Sequence, residues 1–279
     1  MLGKDPKRPS TVSDLTVSFI QLPLKWHSPA TNRAELAAHI AEISVATDLI
    51  VLPEMFSTGF SMDAAHWAEP VDGPTLAWMR ELAARRDAVI TGSVMTRDEE
   101  GRFYNRLLWV RPDGSFSHYD KRHLFRMAGE HEVYSAGQQR LVEEWRGWRI
   151  CPLICYDLRF PVWSRNDLHQ PYDLLLYVAN WPAARRTAWI TLLRARAIEN
   201  QAYTMGVNCL GLDPAGQPYD GDSALLDMKG EYLVEVGNQE TGITRTLRRA
   251  DLEAYRSRFP ALLDADEFEL RTSGELVKL

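Results

Sequence analysis

The sequence predicts an α/β fold in which two β-sheets pack together and helices cover their outer faces. Apolar runs of strand length alternate with amphipathic helical stretches along the chain, and the strands outnumber the helices. Two packed sheets with helices outside satisfy that count. No repeat, low-complexity segment or linker interrupts the pattern. One domain is therefore predicted.

Each predicted element rests on its own local signal. Helices are predicted where apolar residues recur at i, i+4 and i+7 or where Gly-Pro opens a periodic run, at residues 31–46, 74–86, 184–201 and 250–258. Strands are predicted for short apolar or alternating runs between turn signals. They cover residues 15–24, 48–54, 88–96, 103–110, 115–121, 149–155, 172–179, 203–212, 223–227, 232–236 and 242–247.

The composition limits the class of protein. The chain of 279 residues is 45% hydrophobic and 25% charged, and its net charge is −6. Because its basic residues are not gathered into one block, no nucleic-acid or anionic membrane partner is expected. No apolar run approaches 18 residues, so no membrane span is expected. Three cysteines do not form a disulfide framework, and the chain is predicted to be cytoplasmic.

The two ends of the chain differ from its centre. Residues 1–14 are polar and basic without an apolar segment behind them, so a loose tail rather than a secretory signal is predicted. The last residues read as an arm. The predicted boundaries are therefore a tail over 1–14, a domain over 15–262 and a C-terminal arm over 263–279.

Three predicted strands end on residues with complementary chemistry. The strand over 48–54 ends on Glu54, the strand over 115–121 on Lys121, and the strand over 149–155 on Cys155. Polar residues just beyond buried strands lie where α/β sheets build their sites. A free thiol is only a few per cent thiolate at pH 7, so an ammonium that stabilises the thiolate and a carboxylate that accepts its proton would activate it. Taken singly, each residue also has a structural interpretation: a turn cap, a solvated lysine and a buried thiol.

Several phrases of the sequence resemble the nitrilase superfamily of carbon–nitrogen hydrolases. They stand in the order of that family and spread over roughly residues 15–247. They are Leu52-Pro53-Glu54, Asp120-Lys121-Arg122-His123-Leu124-Phe125, Cys155-Tyr156-Asp157-Leu158-Arg159-Phe160-Pro161, Asn180-Trp181-Pro182 and Arg194-Ala195-Arg196-Ala197-Ile198-Glu199-Asn200-Gln201.

The resemblance implies a four-layer αββα sandwich, homodimers and a Glu–Lys–Cys triad that needs neither a metal nor an organic cofactor. Carried over by position, Cys155 is the nucleophile, Glu54 the general base and Lys121 the partner of the oxyanion. The second glutamate of the family matches Glu130, with Glu132 as the alternative.

Within the superfamily, the segments after Glu54 and Cys155 look like the bacterial ω-amidase branch, which deamidates small 2-oxo acid amides such as 2-oxoglutaramate. A small-molecule amide substrate with a carboxylate calls for a cationic group near the thiol. Arg185, Arg186, Arg194 and Arg196 are near the expected site in sequence. The substrate-binding residues predicted from the resemblance are Tyr156, Asn180, Trp181, Arg194 and Arg196.

Other functions remain open at this stage. A papain-like Cys–His hydrolase would need His123 or His131 as the partner of the thiol. The histidines show no metal-ligand spacing. A non-catalytic binding protein could share the fold, although an intact triad argues against it. Within the superfamily, an aliphatic amidase, an N-carbamoyl hydrolase or a nitrilase is the alternative to an ω-amidase.

Overall fold

The structure is a computed structural model that describes residues 13–272 and 275–277. In the described ranges the α-helices are α1 Pro29–Glu42, α2 Ala64–Trp67, α3 Pro74–Arg86, α4 Glu130–Val133, α5 Pro161–Ser164, α6 Arg186–Asn200 and α7 Arg249–Arg258. The strands are β1 Leu15–Gln21, β2 Leu49–Val51, β3 Glu69–Pro70, β4 Val89–Arg97, β5 Phe103–Val110, β6 Phe116–Asp120, β7 Glu143–Trp145, β8 Trp148–Ile154, β9 Leu174–Val178, β10 Tyr203–Val207, β11 Leu210–Leu212, β12 Pro218–Asp220, β13 Ala224–Leu226, β14 Tyr232–Glu235, β15 Thr241–Leu247, β16 Leu270–Thr272 and β17 Glu275–Val277.

Two large sheets organise the chain. The first has the order β15-β1-β2-β4-β5-β6, with β3 beside β4, and the second has the order β14-β13-β10-β9-β8-β7. The central pairs are parallel: β1 with β2, β2 with β4, β8 with β9, and β9 with β10. The three strands predicted over 88–96, 103–110 and 115–121 are confirmed as β4, β5 and β6, which form an antiparallel meander.

Side chains that alternate along the strands of the first sheet belong to two different hydrophobic cores. Val17 and Val51 belong to the core shared with the second sheet, whereas Ile20 and Ile50 belong to the core that α1 and α3 cover. A strand with period two places alternate residues on opposite faces, so one sheet serves both layers. On the far side, Leu193 of α6 joins the core of the second sheet. The predicted αββα order of layers is confirmed.

One predicted strand proved to be two. The run over 203–212 divides into β10 and β11, with Asn208 between them. The Asn208 side chain donates to the carbonyl oxygens of Trp181 and Gly221 at 3.0 and 2.7 Å, and these bonds fix the chain in a turn. After that turn, β11 and β12 form a separate hairpin.

The two ends are only partly described. Ser13 and Asp14, which the sequence placed in a loose tail, are hydrogen-bonded: Ser13 O accepts from Trp148 Nε1, and Asp14 Oδ1 accepts from the Arg249 backbone N–H, both at 2.9 Å. The rest of the predicted tail lies outside the described residues. In the predicted arm, β16 and β17 pair antiparallel.

The topology brings the candidate residues to one edge. Glu54 follows β2 and Lys121 follows β6, and these strands point the same way because β5 runs antiparallel to both β4 and β6. Cys155 follows β8, and Asn180 lies just beyond its parallel neighbour β9. Since the carboxyl ends of parallel strands meet at one edge of a sheet, each sheet delivers two of these four residues.

Candidate active site

Glu54 lies fully buried in a turn that is fastened to β4. Ser93 of β4 accepts from Phe56 N at 3.1 Å through its carbonyl, and its hydroxyl accepts from Met55 N at 2.8 Å. The Glu54 carboxylate accepts a hydrogen bond from Lys121 Nζ at 2.9 Å on Oε1 and from the Asn180 backbone N–H at 2.7 Å on Oε2. Each oxygen therefore has a fixed orientation.

Lys121 joins two buried carboxylates. Its Nζ donates to Glu54 Oε1 at 2.9 Å and to Glu130 Oε1 and Oε2 at 3.0 and 2.9 Å. Burial alone would lower the pKa of Lys121, but the charges of Glu130 and Glu54 outweigh burial and raise it. Lys121 is thus a permanent cation. The structure places Glu130, not Glu132, at this position, because Glu132 has a side chain 74% exposed and lies beside His131.

Burial raises the pKa of Glu130, whereas it acts to lower that of Lys121. The Glu130 side chain is fully buried in the short helix α4, and desolvation raises the pKa of its carboxyl despite the opposing charge of Lys121. Its Oε2 also accepts from the Phe125 backbone N–H, which ties the loop after Lys121 to the same carboxylate.

Cys155 begins a tight 3₁₀ turn, Cys155–Arg159, directly after β8. Its φ of +43° is in the left-handed region, which costs a non-glycine residue about 1–3 kcal/mol and is typical of functional sites. The residue is 8% exposed. Burial and then the charge of Glu54 raise the pKa of the Cys155 thiol well above its ordinary value, whereas Lys121 acts to lower it. The thiol therefore rests protonated and needs a base.

Asp157 holds this turn in place. Its buried carboxylate accepts from Ile154 N at 3.0 Å, from Tyr119 Oη at 2.7 Å and from His123 N at 3.0 Å. Because Tyr119 belongs to β6, Asp157 connects the turn of Cys155 to the strand that ends before Lys121.

A cavity of about 510 Å³ opens above the thiol. Its floor includes Lys121 and Cys155. Its walls and rim comprise Phe60, Met62, Phe125, Met127, Ala128, Tyr156, Arg159, Asn180, Trp181, Pro182, Arg185, Asp213, Ala215, Gln217 and Tyr219. An apolar enclosure with a few polar groups is typical of a small-molecule site.

Three predicted substrate-binding residues line this cavity, namely Tyr156, Asn180 and Trp181. The Asn180 side chain already has partners, however: Nδ2 donates to the Glu54 carbonyl, and Oδ1 accepts from Cys209 Sγ at 2.9 Å. The Trp181 indole N–H donates to Arg185 O at 2.9 Å. Asn180 and Trp181 thus act as fixed wall rather than as free polar groups.

Arg194 and Arg196, which were predicted to bind the substrate, do not line the cavity. Arg194 is exposed and lies over the Tyr232 ring at 5.0 Å. Arg196 is buried under the Cys155 turn and donates to Leu158 O at 2.6 Å. Residues two apart on a helix face nearly opposite sides, so α6 could not present both to one ligand.

Two other arginines, Arg159 and Arg185, line the cavity instead. Arg185 lies in the 3₁₀ turn Ala183–Arg185 before α6, and its guanidinium is 5.3 Å from the Phe125 ring centroid. Arg159, the last residue of the Cys155 turn, lies 5.1 Å from the Trp181 ring centroid. Arg186, also named from the sequence, pairs with Asp222 at 2.7 Å and is not in the lining.

Neither candidate histidine lies in the cavity lining. The His123 ring stacks on Phe160 at 3.7 Å and its Nδ1 contacts Asp157 at 2.8 Å. His131 lies beside Glu132. A Cys–His pair is therefore not assembled here.

Across 13–272 and 275–277, no group of three or more His, Cys, Asp or Glu side chains is arranged to hold a metal ion. Within the same ranges, no helix is both long enough and apolar enough to cross a membrane.

Sequence reasoning missed Asn105, Asp157, Arg159 and the rim role of Arg185. Asn105 lies inside β5 and its Nδ2 donates to Glu54 Oε1 at 2.7 Å and to Glu130 Oε1 at 3.2 Å. The available signal was the polar pair Asn105–Arg106 in an otherwise apolar strand, since polar groups are kept in the interior only with partners. Asp157 and Arg159 stood inside the quoted cysteine phrase without an assigned role.

The chain is similar in sequence and in fold to known carbon–nitrogen hydrolases. The family model described as carbon-nitrogen hydrolase matches residues 16–257. Omega-amidase YafV of Yersinia enterocolitica is 51% identical over 260 residues, which are 93% of this chain and 100% of the relative. The 2-oxoglutaramate amidase of Bacillus subtilis is 33% identical over 233 residues, 82% of this chain and 89% of the relative. XC1258 of Xanthomonas campestris, described as a CN-hydrolase superfamily protein with an arsenic adduct in the active site, superposes with a TM-score of 0.90 at 50% identity, over 92% of this chain and 99% of that one.

Proposed function

The chain belongs to the carbon–nitrogen hydrolase family, as its motifs predicted, and we propose that it is an ω-amidase. Its substrates would be small 2-oxo acid amides, 2-oxoglutaramate and 2-oxosuccinamate, which it hydrolyses to the acid and ammonia. The observation that carries the proposal is the buried Glu54–Lys121–Glu130 cluster beside Cys155, beneath a cavity with arginines at its rim.

The first step is attack by Cys155 on the amide carbonyl carbon. The raised pKa of the thiol means that its proton must leave as the C–S bond forms. Glu54 is the base that receives the proton, because its carboxylate is close enough to the thiol that, after burial, its charge is the main factor that raises the pKa of Cys155. The C=O electron pair moves to oxygen and gives a tetrahedral oxyanion.

Lys121 and the backbone N–H of Tyr156 are the proposed donors to that oxyanion. Lys121 is a buried cation in the cavity floor, and a preorganised donor of this kind contributes about 10²–10³ in kcat. Tyr156 is the residue after the nucleophile, within the same turn.

Collapse of the intermediate then releases ammonia. The oxyanion re-forms the carbonyl, the C–N bond breaks, and Glu54 delivers its proton to the departing nitrogen. A thioester on Cys155 remains. Glu54 next takes a proton from water, the resulting hydroxide adds to the thioester carbonyl, and the thiolate leaves and recovers the proton.

Arg159 and Arg185 are the proposed partners of the substrate carboxylate. Both line the cavity above the thiol, and each has its guanidinium placed over an aromatic ring. A guanidinium binds a carboxylate by charge-assisted, often bidentate hydrogen bonds. The names of the omega-amidase and 2-oxoglutaramate amidase relatives support the same substrate class.

Ammonia release across a panel of amides, nitriles and ureides tests the proposal. An ω-amidase should prefer 2-oxoglutaramate to butyramide in kcat/KM and leave nitriles and N-carbamoyl compounds nearly untouched. Equal rates on butyramide and 2-oxoglutaramate would favour a general aliphatic amidase. Preference for a nitrile or a ureide would favour one of the other superfamily activities.

We also propose that the protein is a cytoplasmic homodimer. Three unpaired, buried thiols fit a reducing compartment. A homodimer is the assembly that the resemblance to the family implies. Light scattering on the purified protein would give the mass, and monomer at micromolar concentration would contradict the dimer.

A further inference from the structure

All the donors of Lys121 are already committed to carboxylates. An ammonium has three N–H groups. In this structure Nζ has three acceptors within 3.0 Å, namely Glu54 Oε1 and both oxygens of Glu130. To bind an oxyanion, Lys121 must therefore release one of them.

Proton transfer supplies the release. When Glu54 receives the proton of Cys155, its carboxylate becomes neutral and its attraction for Lys121 falls. Glu130 keeps two contacts with Lys121, so the bond to Glu54 is the one to exchange for the oxyanion. That exchange would leave Glu54 Oε1 without its lysine at the moment when Glu54 must stay aligned to protonate the leaving nitrogen.

Asn105 is placed to prevent this loss of alignment. Its Nδ2 donates to the same Glu54 oxygen that Lys121 would leave, at 2.7 Å, and also to Glu130 Oε1 at 3.2 Å. Its backbone carbonyl accepts from Lys121 N at 3.0 Å. A single fully buried side chain thus contacts both carboxylates and its backbone fixes the lysine.

The orientation of this amide is determined by the carboxylates. A flipped amide would turn Oδ1 toward two carboxylate oxygens, which is repulsive, so Nδ2 must face them. As a result, Oδ1 is buried and has no partner among the described residues. A buried oxygen without a hydrogen-bond partner is uncommon in a native interior. Its presence here indicates that the contacts of Nδ2 at the other end of the amide determine the choice of residue.

We propose that Asn105 is a positioning residue that holds Glu54 in line while Lys121 exchanges Glu54 for the oxyanion. This inference rests on the proposed amide hydrolysis. Asn105 itself touches neither the substrate nor the thiol; it acts through Glu54 and Glu130.

The test is Asn105→Ala, with Asn166→Ala as the matched control. Asn166 is also buried, and its Nδ2 donates to Tyr172 O and Asn200 O at 3.0 Å, yet it makes no contact with the cluster. For Asn105→Ala we expect kcat to fall roughly ten- to a hundredfold, the worth of one charge-assisted hydrogen bond, with KM changed much less. Asn166→Ala should lower the unfolding midpoint and keep kcat.

The pH profile separates positioning from general loss of structure. Hydrogen bonds to a carboxylate favour its ionised form, so removing the Asn105 amide should move the acidic limb of kcat to higher pH. Asn105→Ser should do the same if Asn105→Ala does not fold, because one hydroxyl proton cannot serve two carboxylates. Folded variants with unchanged kcat and an unchanged acidic limb would overturn the inference, provided that the wild type hydrolyses 2-oxoglutaramate. Failure of the wild type to do so would instead contradict the proposed function.

Discussion

Replacing the rim arginines should reduce the preference for 2-oxoglutaramate over butyramide while the catalytic residues keep their function. Arg159→Met and Arg185→Met remove a guanidinium from the cavity rim but leave Glu54, Lys121 and Cys155 in place. Since the substrate carboxylate ends up far from the scissile amide, its binding energy serves to hold that amide at the thiol. The loss should therefore fall on 2-oxoglutaramate and spare butyramide.

The size of the effect follows from the exposure of each arginine. A hydrogen bond to a charged group contributes about 1.5–3 kcal/mol, which corresponds to roughly one to two decades in kcat/KM. Arg159 is exposed and screened by water, so the lower end of that range applies to it. Arg185 is half-buried, so its replacement should reduce the preference for 2-oxoglutaramate by more than that of Arg159.

Arg194→Met is the matched control for this prediction. Arg194 lies over the Tyr232 ring at 5.0 Å, nearly the distance of Arg159 from Trp181 and of Arg185 from Phe125, but outside the cavity lining. It therefore loses the same kind of stacking and one positive charge. The assay is the ratio of kcat/KM for 2-oxoglutaramate to that for butyramide. A ratio unchanged in both rim variants, or reduced equally in Arg194→Met, would refute the assignment of the carboxylate site.

Three further predictions concern the buried groups. Lys121→Met should abolish hydrolysis and lower the free energy of unfolding by about 3–5 kcal/mol, because it leaves buried carboxylates unpaired. Adding Glu130→Gln should restore part of that stability but no activity. Equal stability of the single and double variants in denaturant titrations would contradict this prediction. Burial raises the pKa of Cys151 to about 12, so the folded state favours the neutral thiol. The resulting stabilisation of the fold is complete below the unfolded pKa near 9 and is lost as pH rises toward 12, with roughly 1.4 kcal/mol lost by pH 10. The free energy of unfolding of Cys151→Ala should therefore fall less at alkaline pH than that of the wild type. His123→Ala and His131→Ala should each reduce kcat less than Lys121→Met does, and the reverse order in steady-state assays would revive a Cys–His mechanism.

The positions of Glu54, Lys121 and Cys155 could be predicted because their signals are local. Each stands one to three residues beyond the end of a short strand, and parallel strands bring their carboxyl ends to one edge of a sheet. The helix over 74–86 was predicted to the residue, since Gly73 and Pro74 mark its start and a left-handed Asp87 follows its end.

The rim arginines could not be predicted in the same way. Whether Arg185 or Arg194 faces the thiol depends on how α6 is rotated against the second sheet, and Trp189 and Leu193 set that rotation through contact with Gly206 of β10. These contacts join residues far apart in sequence. Asn105 was missed for a related reason: inside β5 it resembles any buried polar residue until Glu54 and Glu130 are placed around it.

The most direct test of the mechanism is ammonia release from 2-oxoglutaramate by Cys155→Ala, compared with Cys151→Ala and Cys209→Ala. All three replacements remove one buried thiol, but only Cys155 lines the cavity. We expect no detectable turnover by Cys155→Ala with a wild-type circular dichroism spectrum, and substantial turnover by the other two. Wild-type turnover by folded Cys155→Ala would contradict the assignment of Cys155 as the nucleophile.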